Sequence, residues 1–249
     1  MDAMDYRITD AHMDPLDADV SCYTEKSVRM PDCWVVYDPL VEMPARPAKQ
    51  TGPVTFGSLN NPAKMNQPLL KLWARVLQAV PDSRLLLLVI SPEYRRLITR
   101  WLAEEGVVEE RIIFVGRMSR SEYLRMYDRI DIALDTLPYN GITTTCDALY
   151  MGTPVVTLAG KTAAGRAGLA MLRTIELGEL AAQSPDELVE ICRGLAQDQQ
   201  RLESLRAGLR QRMQQSPLMD APRFARNMEA AYRKMWQAWC SASPVSTMG

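Results

Sequence analysis

The feature that most limits how this chain can fold is an alternation of strand-like and helix-like segments from Val54 onward. VTFGSL (54–59) reads as a strand. After the loop NNPAKMN, a helical period over 67–80 puts Leu69, Leu70, Trp73, Val76, Leu77 and Val80 on one face. RLLLLVI (84–90) is an unbroken apolar run of strand length, the pattern of a strand covered on both sides. Then come a helix over about 92–105 closed by Gly106, a strand at 111–116, and a helix opened by the capping-box pair Ser119 and Glu122. A strand at 131–136, a helix at 143–151 closed by Gly152 and a strand at 154–158 follow. Strands alternating with helices over five cycles predict an α/β fold: a Rossmann-like parallel sheet with flanking helices, wound by right-handed crossovers.

The flanks read differently. Residues 1–50 show no sustained period, and 39–53, with Pro39, Pro44, Pro47, Gly52 and Pro53, reads as a linker. Beyond the alternation, Ser184-Pro-Asp-Glu187 caps a long charged helix running to about Gln215. A last helix over about 222–240 carries Phe224, Met228, Ala231, Tyr232, Met235 and Trp239 along one face, a core or docking stripe. The expected organisation is an acidic N-terminal segment and linker (1–53), a Rossmann-like nucleotide-binding domain (54–215) and a C-terminal helix (216–249).

Composition removes several chemistries. Among 249 residues there is one histidine, His12, in a stretch that reads as irregular; this disfavours a multi-His zinc site and a Ser-His-Asp triad. Cys22, Cys33, Cys146, Cys192 and Cys240 are odd in number, widely spaced and without a C-x-x-C pair, which points to reduced thiols. No run of about 18 apolar residues occurs and MDAMDYRITD does not resemble a signal peptide, so the expectation is a cytoplasmic chain without membrane contact. Residues 1–50 hold ten acids against five bases, so the net charge of −1 divides into −5 there and +4 in the remainder. An excess of four suits a site for a small anion and falls short of a nucleic-acid footprint. The bases are 23 Arg and only 6 Lys, which singles out any lysine in a loop.

Ligands of open parallel sheets bind beyond the carboxyl ends of the strands, so the loops there carry the search. The loop after strand 131–136 runs Leu137-Pro-Tyr-Asn-Gly-Ile-Thr-Thr-Thr-Cys-Asp147. Gly141 permits a close approach or a positive φ, and Thr143, Thr144 and Thr145 open a helix whose free N–H groups and dipole attract phosphate. Asp147, four residues after Thr143 and three after Thr144, shares their helix face and can accept bonds from ribose hydroxyls. The same spacing also fits a Thr N-cap followed by a solvated Asp. Lys64, after the first strand, can place a point charge on a diphosphate, although a loop lysine is more often merely solvated. Arg120 and Tyr123, after strand 111–116, can contact a nucleoside, the Tyr by stacking.

Three other motifs fail. Ala159-Gly160-Lys161-Thr162 sits where a P-loop would, but Val155 occupies its first glycine position. No G-x-G-x-x-G occurs, which disfavours a dinucleotide cofactor. Asp17-Ala18-Asp19 mimics a metal-binding D-x-D but follows no strand, so no metal is expected.

Seven segments in order along nearly the whole chain resemble the C-terminal half of the catalytic region of the O-linked N-acetylglucosamine transferase and SPINDLY family, which are GT-B glycosyltransferases. They are MDYRITD (4–10), YTEKSVRMPDCW (23–34), VTFGSLNNPAKMN (54–66), LWARVLQAVPDSRLLLL (72–88), RIIFVGRMSRSEYL (111–124), DIALDTLPYNGITTTCDALYMGTPVVTLAG (131–160) and SPLMDAPRFARNMEAAYRKMW (216–236). The resemblance implies that this half binds the nucleotide of a sugar donor, most readily UDP-N-acetylglucosamine, for metal-independent transfer to Ser or Thr hydroxyls of proteins. It makes Lys64 the catalytic lysine on the diphosphate, Asn61 a neighbouring nucleotide contact, Thr143 and Thr144 phosphate ligands and Asp147 the ribose ligand. Arg120 and Tyr123 stand where the animal transferase has a lysine and a base-stacking histidine, and Ile142 replaces a further histidine. The run TTTCDALYMG is similar to the SPINDLY branch, whose plant members transfer fucose from a guanine nucleotide. A non-catalytic nucleotide-sugar module is the alternative of another class. By the same resemblance, a first Rossmann-like half and a tetratricopeptide array, neither present in this sequence, precede the position of residue 1 and carry most acceptor contacts. Residues 1–50 resemble the end of that first half, and the last helix packs back toward it or mediates self-association.

Overall fold

In the computed structural model, which describes residues 4–42 and 52–242, six parallel strands form one sheet in the order β5-β4-β3-β6-β7-β8. The strands are β3 (Thr55–Ser58), β4 (Arg84–Leu88), β5 (Ile112–Val115), β6 (Ile132–Leu134), β7 (Val155–Leu158) and the two-residue β8 (Ala181–Ala182). Leu85, Leu86 and Leu87 of β4 are fully buried, as their unbroken apolar run requires. The helices between them are α1 (Gln67–Ala79), α2 (Pro92–Glu104), α3 (Arg120–Met126), α4 (Thr143–Tyr150) and α5 (Ala167–Thr174). Right-handed crossovers run leftward from β3 to β4 and rightward from β6 to β7, so α1 and α4 lie on opposite faces.

Local chemistry sets the helix starts. Asn66 accepts the Leu69 N–H (3.0 Å) ahead of Gln67-Pro68, and Ser91 accepts the Tyr94 N–H (3.2 Å) ahead of Pro92. At α3 the capping box is complete: Ser119 accepts the Glu122 N–H, and Glu122 accepts the Ser119 N–H (2.8 Å). On α1, Leu69, Leu70, Trp73, Val76 and Leu77 form the buried face, with Val80 at its C-cap.

Three expectations are corrected. The long helix after Ser184 is two, α6 (Pro185–Gln197) and α7 (Gln199–Gln214), because Asp198 leaves helical geometry and caps α7 by accepting the Arg201 N–H (2.9 Å). The sheet has a sixth strand, β8, too short to leave a period in the sequence. Residues 1–50 are not wholly irregular: β1 (Tyr6–Asp10) and β2 (Lys26–Met30) pair in parallel, outside the main sheet. The middle of the expected linker, 43–51, lies outside the described residues.

The last helix, α8 (Ala221–Ala242), packs against β2. Arg223 donates twice to Asp32, and Asn227 donates to the same carboxylate (2.9 Å). Farther along, Tyr232, Trp236 and Trp239 are exposed, the two indoles stacked at 5.0 Å.

Candidate functional site

β3 and β6 are neighbours, yet the chain leaves them in opposite directions across the sheet. Their outgoing loops therefore diverge and open a crevice at the carboxyl edge, where ligands of doubly wound sheets bind. From the β3 side comes a 3-10 turn, Pro62–Lys64, in which Asn61 accepts the Ala63 N–H at 3.0 Å. The turn aims Lys64 across the crevice: its Nζ donates to the Asn140 carbonyl at 2.9 Å and lies 4.1 Å from the Tyr139 ring centroid. Partial burial lowers the Lys64 pKa, and the nearby Asp135 carboxylate opposes that shift.

From the β6 side comes the turn into α4. A Cβ on Gly141 would lie 2.8 Å from Asn60 Oδ1 and 3.0 Å from Thr145 Oγ1, so close approach, and not a positive φ, is what requires glycine here. The N-cap position is Ile142, which makes no capping hydrogen bond; the three threonines are the first helical residues. Thr143 is exposed and Thr144 half-buried. Thr145 is buried, its hydroxyl donating to the Gly141 carbonyl at 3.0 Å.

Asp147 is 1% exposed and firmly held, which removes the reading of a solvated carboxylate. Arg120 donates to both of its oxygens, at 2.6 and 2.7 Å, and the Tyr37 hydroxyl donates to Oδ1 at 2.6 Å. Tyr123, whose ring lies 5.5 Å from the Arg120 guanidinium, stands edge-on to Tyr127, with the two hydroxyls 3.2 Å apart. Tyr127 in turn donates to the Thr144 carbonyl at 3.0 Å. Arg120, Tyr123, Thr144 and Asp147 thus belong to one connected network. Burial pushes the Tyr123 phenol up to about 12, while burial and the Asp147 carboxylate raise Tyr37 further. The Asp147 carboxylate also holds Arg120 above the usual guanidinium range.

Sequence reasoning passed over four residues here. Asn140 falls inside the loop it singled out, with its polarity beside Gly141 as the available signal, whereas Asp135 was read as part of the strand 131–136 that precedes the loop. Asn60, beside Asn61, is buried with Oδ1 lacking a hydrogen-bond partner and faces Gly141. Tyr37 carried no signal, because it meets Asp147 across 110 residues. Of the rejected motifs, the Ala159–Thr162 stretch opens a loop that packs on the β6–α4 turn, the Asn140 N–H donating to the Ala164 carbonyl at 3.1 Å. Lys161 is exposed and Thr162 caps a 3-10 turn, while Asp17 and Asp19 border a separate cleft of about 610 Å³.

Comparison with known proteins gives the family and the fold. The sequence profile of glycosyl transferase family 41 matches residues 47–228. The chain is 41% identical, over 98% of its length, to a tomato (Solanum lycopersicum) protein named probable UDP-N-acetylglucosamine–peptide N-acetylglucosaminyltransferase SPINDLY, and it spans 27% of that relative. A mutant O-GlcNAc transferase from Thermobaculum terrenum superposes with a TM-score of 0.87 at 37% identity, covering 97% of this chain and 46% of that one. The sucrose-phosphate synthase of Thermosynechococcus elongatus shares the fold alone, with a TM-score of 0.59 at 18% identity over 86% of this chain and 54% of the other. The crevice between β3 and β6, with its lysine and its uncapped helix terminus, therefore sits in the Rossmann-like unit, of GT-B type, of a chain that belongs to glycosyl transferase family 41.

Proposed function

We propose that this chain is the donor-binding half of a protein O-glycosyltransferase, with a nucleoside diphosphate sugar, UDP-N-acetylglucosamine in first place, seated in the crevice between β3 and β6. The observation that carries the reading is the convergence of Lys64, held 2.9 Å from the Asn140 carbonyl, with the N-terminus of α4, which no side chain caps. A diphosphate placed there meets one ammonium charge, the leading N–H groups of α4 and the Thr143 and Thr144 hydroxyls. Asp147, fixed by Arg120 and Tyr37, is the acceptor for ribose hydroxyls, and Tyr123 flanks the base.

In the transfer, a Ser or Thr oxygen of the acceptor protein bonds to the anomeric carbon while the bond from that carbon to the diphosphate oxygen breaks. The electron pair departs with the diphosphate, and the acceptor hydroxyl loses its proton. Charge therefore grows on the leaving oxygen in the transition state, and a positive group fixed beside it accelerates the step more than it tightens ground-state binding. Lys64 supplies that charge. Acceptor contacts and the group that takes the proton are assigned to parts of the family that this chain, at 27% of its relative's length, does not span.

Titration calorimetry with UDP, GDP and UDP-N-acetylglucosamine on the wild type tests the reading. UDP binding that weakens in Lys64→Ala supports it, preference for GDP moves the donor to a guanine nucleotide, and binding of neither overturns it. Glycosylation of an acceptor peptide only after the remaining catalytic half is added in trans separates a transferase half from a binding module.

A further inference from the structure

We propose that Asp135 is a positioning residue of this site, fixing the turn into α4 whose Asn140 carbonyl receives the Lys64 ammonium, and holding a negative charge behind that turn; the role in transfer rests on the preceding reading. Asp135 follows directly on β6 and is 3% exposed. Its Oδ1 accepts two backbone N–H groups, from Thr136 at 2.8 Å and Gly141 at 2.7 Å, and its Oδ2 accepts the Thr157 hydroxyl at 2.9 Å. The carboxylate thereby ties both ends of the β6–α4 loop to β7. Asn140 completes the closure. Its side chain donates to the Thr136 carbonyl at 2.8 Å and accepts the Gly168 N–H at 3.2 Å, leaving its own carbonyl for Lys64. A Cβ on Gly168 would lie 2.5 Å from Asp135 Oδ2, so α5 approaches the carboxylate as only glycine allows.

Hydrogen bonding alone does not call for an acid here. An asparagine could accept the same two backbone N–H groups through Oδ1 and donate to Thr157 through Nδ2, without the cost of a buried charge. What asparagine lacks is the charge. Lys64 is the charged group that acts on Asp135, and Asp135 the one that acts on Lys64; the Thr136, Gly141, Thr157 and Gly168 groups around the carboxylate are neutral. Burial pushes Asp135 up to about 6, so it is ionised at neutral pH, and there it opposes the loss of the Lys64 proton that partial burial favours. A buried charge where a neutral group would fit the same bonds is the kind of perturbed group that clusters at functional sites.

The test compares wild type, Asp135→Asn, Lys64→Arg and the double variant, by calorimetric UDP affinity from pH 6 to 10, with thermal melts confirming folding. In the wild type, affinity falls at alkaline pH as Lys64 loses its proton. In Asp135→Asn that midpoint is expected at lower pH, because the carboxylate that opposes loss of the Lys64 proton is gone. In the Lys64→Arg background the limb disappears, and adding Asp135→Asn moves no midpoint. A folded Asp135→Asn with an unmoved midpoint overturns the proposal, because loss of a merely structural bond weakens binding at every pH alike. If Asp135→Asn does not fold, lysine ε-carbon NMR of the ligand-free wild type decides. The Lys64 resonance, identified by its absence in Lys64→Arg, is expected to shift with a midpoint near pH 6, and a flat trace there overturns the proposal. That measurement needs no nucleotide, so failure of the nucleotide reading remains distinguishable from failure of this one.

Discussion

Arg120, the first residue of α3, grips both carboxylate oxygens of Asp147 on α4, at 2.6 and 2.7 Å, while the Asp147 side chain is almost wholly buried. Each partner satisfies a group that would otherwise be costly to bury, and Tyr37 completes the set. Removing the hydroxyl in Tyr37→Phe is expected to lower stability by about 2 kcal/mol, the usual worth of a hydrogen bond to a charged group. Arg120→Ala is expected to cost a similar amount, about 2 kcal/mol, less than for a fully buried pair because the guanidinium is partly solvated. Urea unfolding of both variants measures this, and changes below about 0.5 kcal/mol would contradict the reading that these bonds hold Asp147 in place.

Lys64→Ala removes the crevice's cation and its bond to Asn140 and leaves the buried core untouched. A charge-assisted contact to phosphate of about 2 kcal/mol corresponds to a loss of UDP affinity of about 30-fold, with the melting temperature nearly unchanged. Calorimetry reads the first quantity and a thermal scan the second. Equal UDP affinity in the two proteins would remove Lys64 from the diphosphate.

Asp135 makes stability depend on pH in the direction opposite to most carboxylates. Its folded pKa of about 6 stands above the ordinary aspartate value of 3.8, so between those values the native state binds more protons than the unfolded state. Stability from this group is complete below about 3.8 and is lost as pH rises through 6, by up to about 3 kcal/mol. Asp135→Asn removes the dependence. Denaturant unfolding from pH 4 to 8 should show the variant gaining on the wild type by that amount across the window. A constant difference would mean that burial does not penalise the charge.

The exposed half of α8 presents Tyr232 with the stacked pair Trp236 and Trp239. A continuous apolar stripe of this kind favours association. Sedimentation velocity of the chain is expected to show a concentration-dependent shift that Trp236→Ser with Trp239→Ser abolishes. A monomer at every concentration would show that the stripe does not drive self-association.

Much of the candidate site was legible because its signals are local. Gly141, Thr143, Thr144 and Thr145 lie in one turn, Lys64 lies in a short loop after a strand, and the pair Ser119 and Glu122 announces the helix that carries Arg120 and Tyr123. Each signal spans a few residues, the range over which a cap, a helix period or a missing Cβ acts. Asp198 shows the limit of such reading. A charged, helix-compatible run looks continuous in composition, and the break appears only where an aspartate leaves helical geometry to cap the next helix.

By itself the sequence determined the α/β class, the helix start at Ser119, the both-sides burial of Leu85 to Leu87, and the loops that hold anion-seeking groups. These follow from side-chain period and from hydrogen bonds made within one turn. Only the tertiary structure decided the strand order, the parallel pairing of β1 with β2, the clasp of Tyr37 and Arg120 on Asp147, and the place of Asp135 among Gly141, Thr157 and Lys64. Those contacts join residues distant in the chain, and their energies come from burial and charge, which exist only once the sheet has brought the partners together.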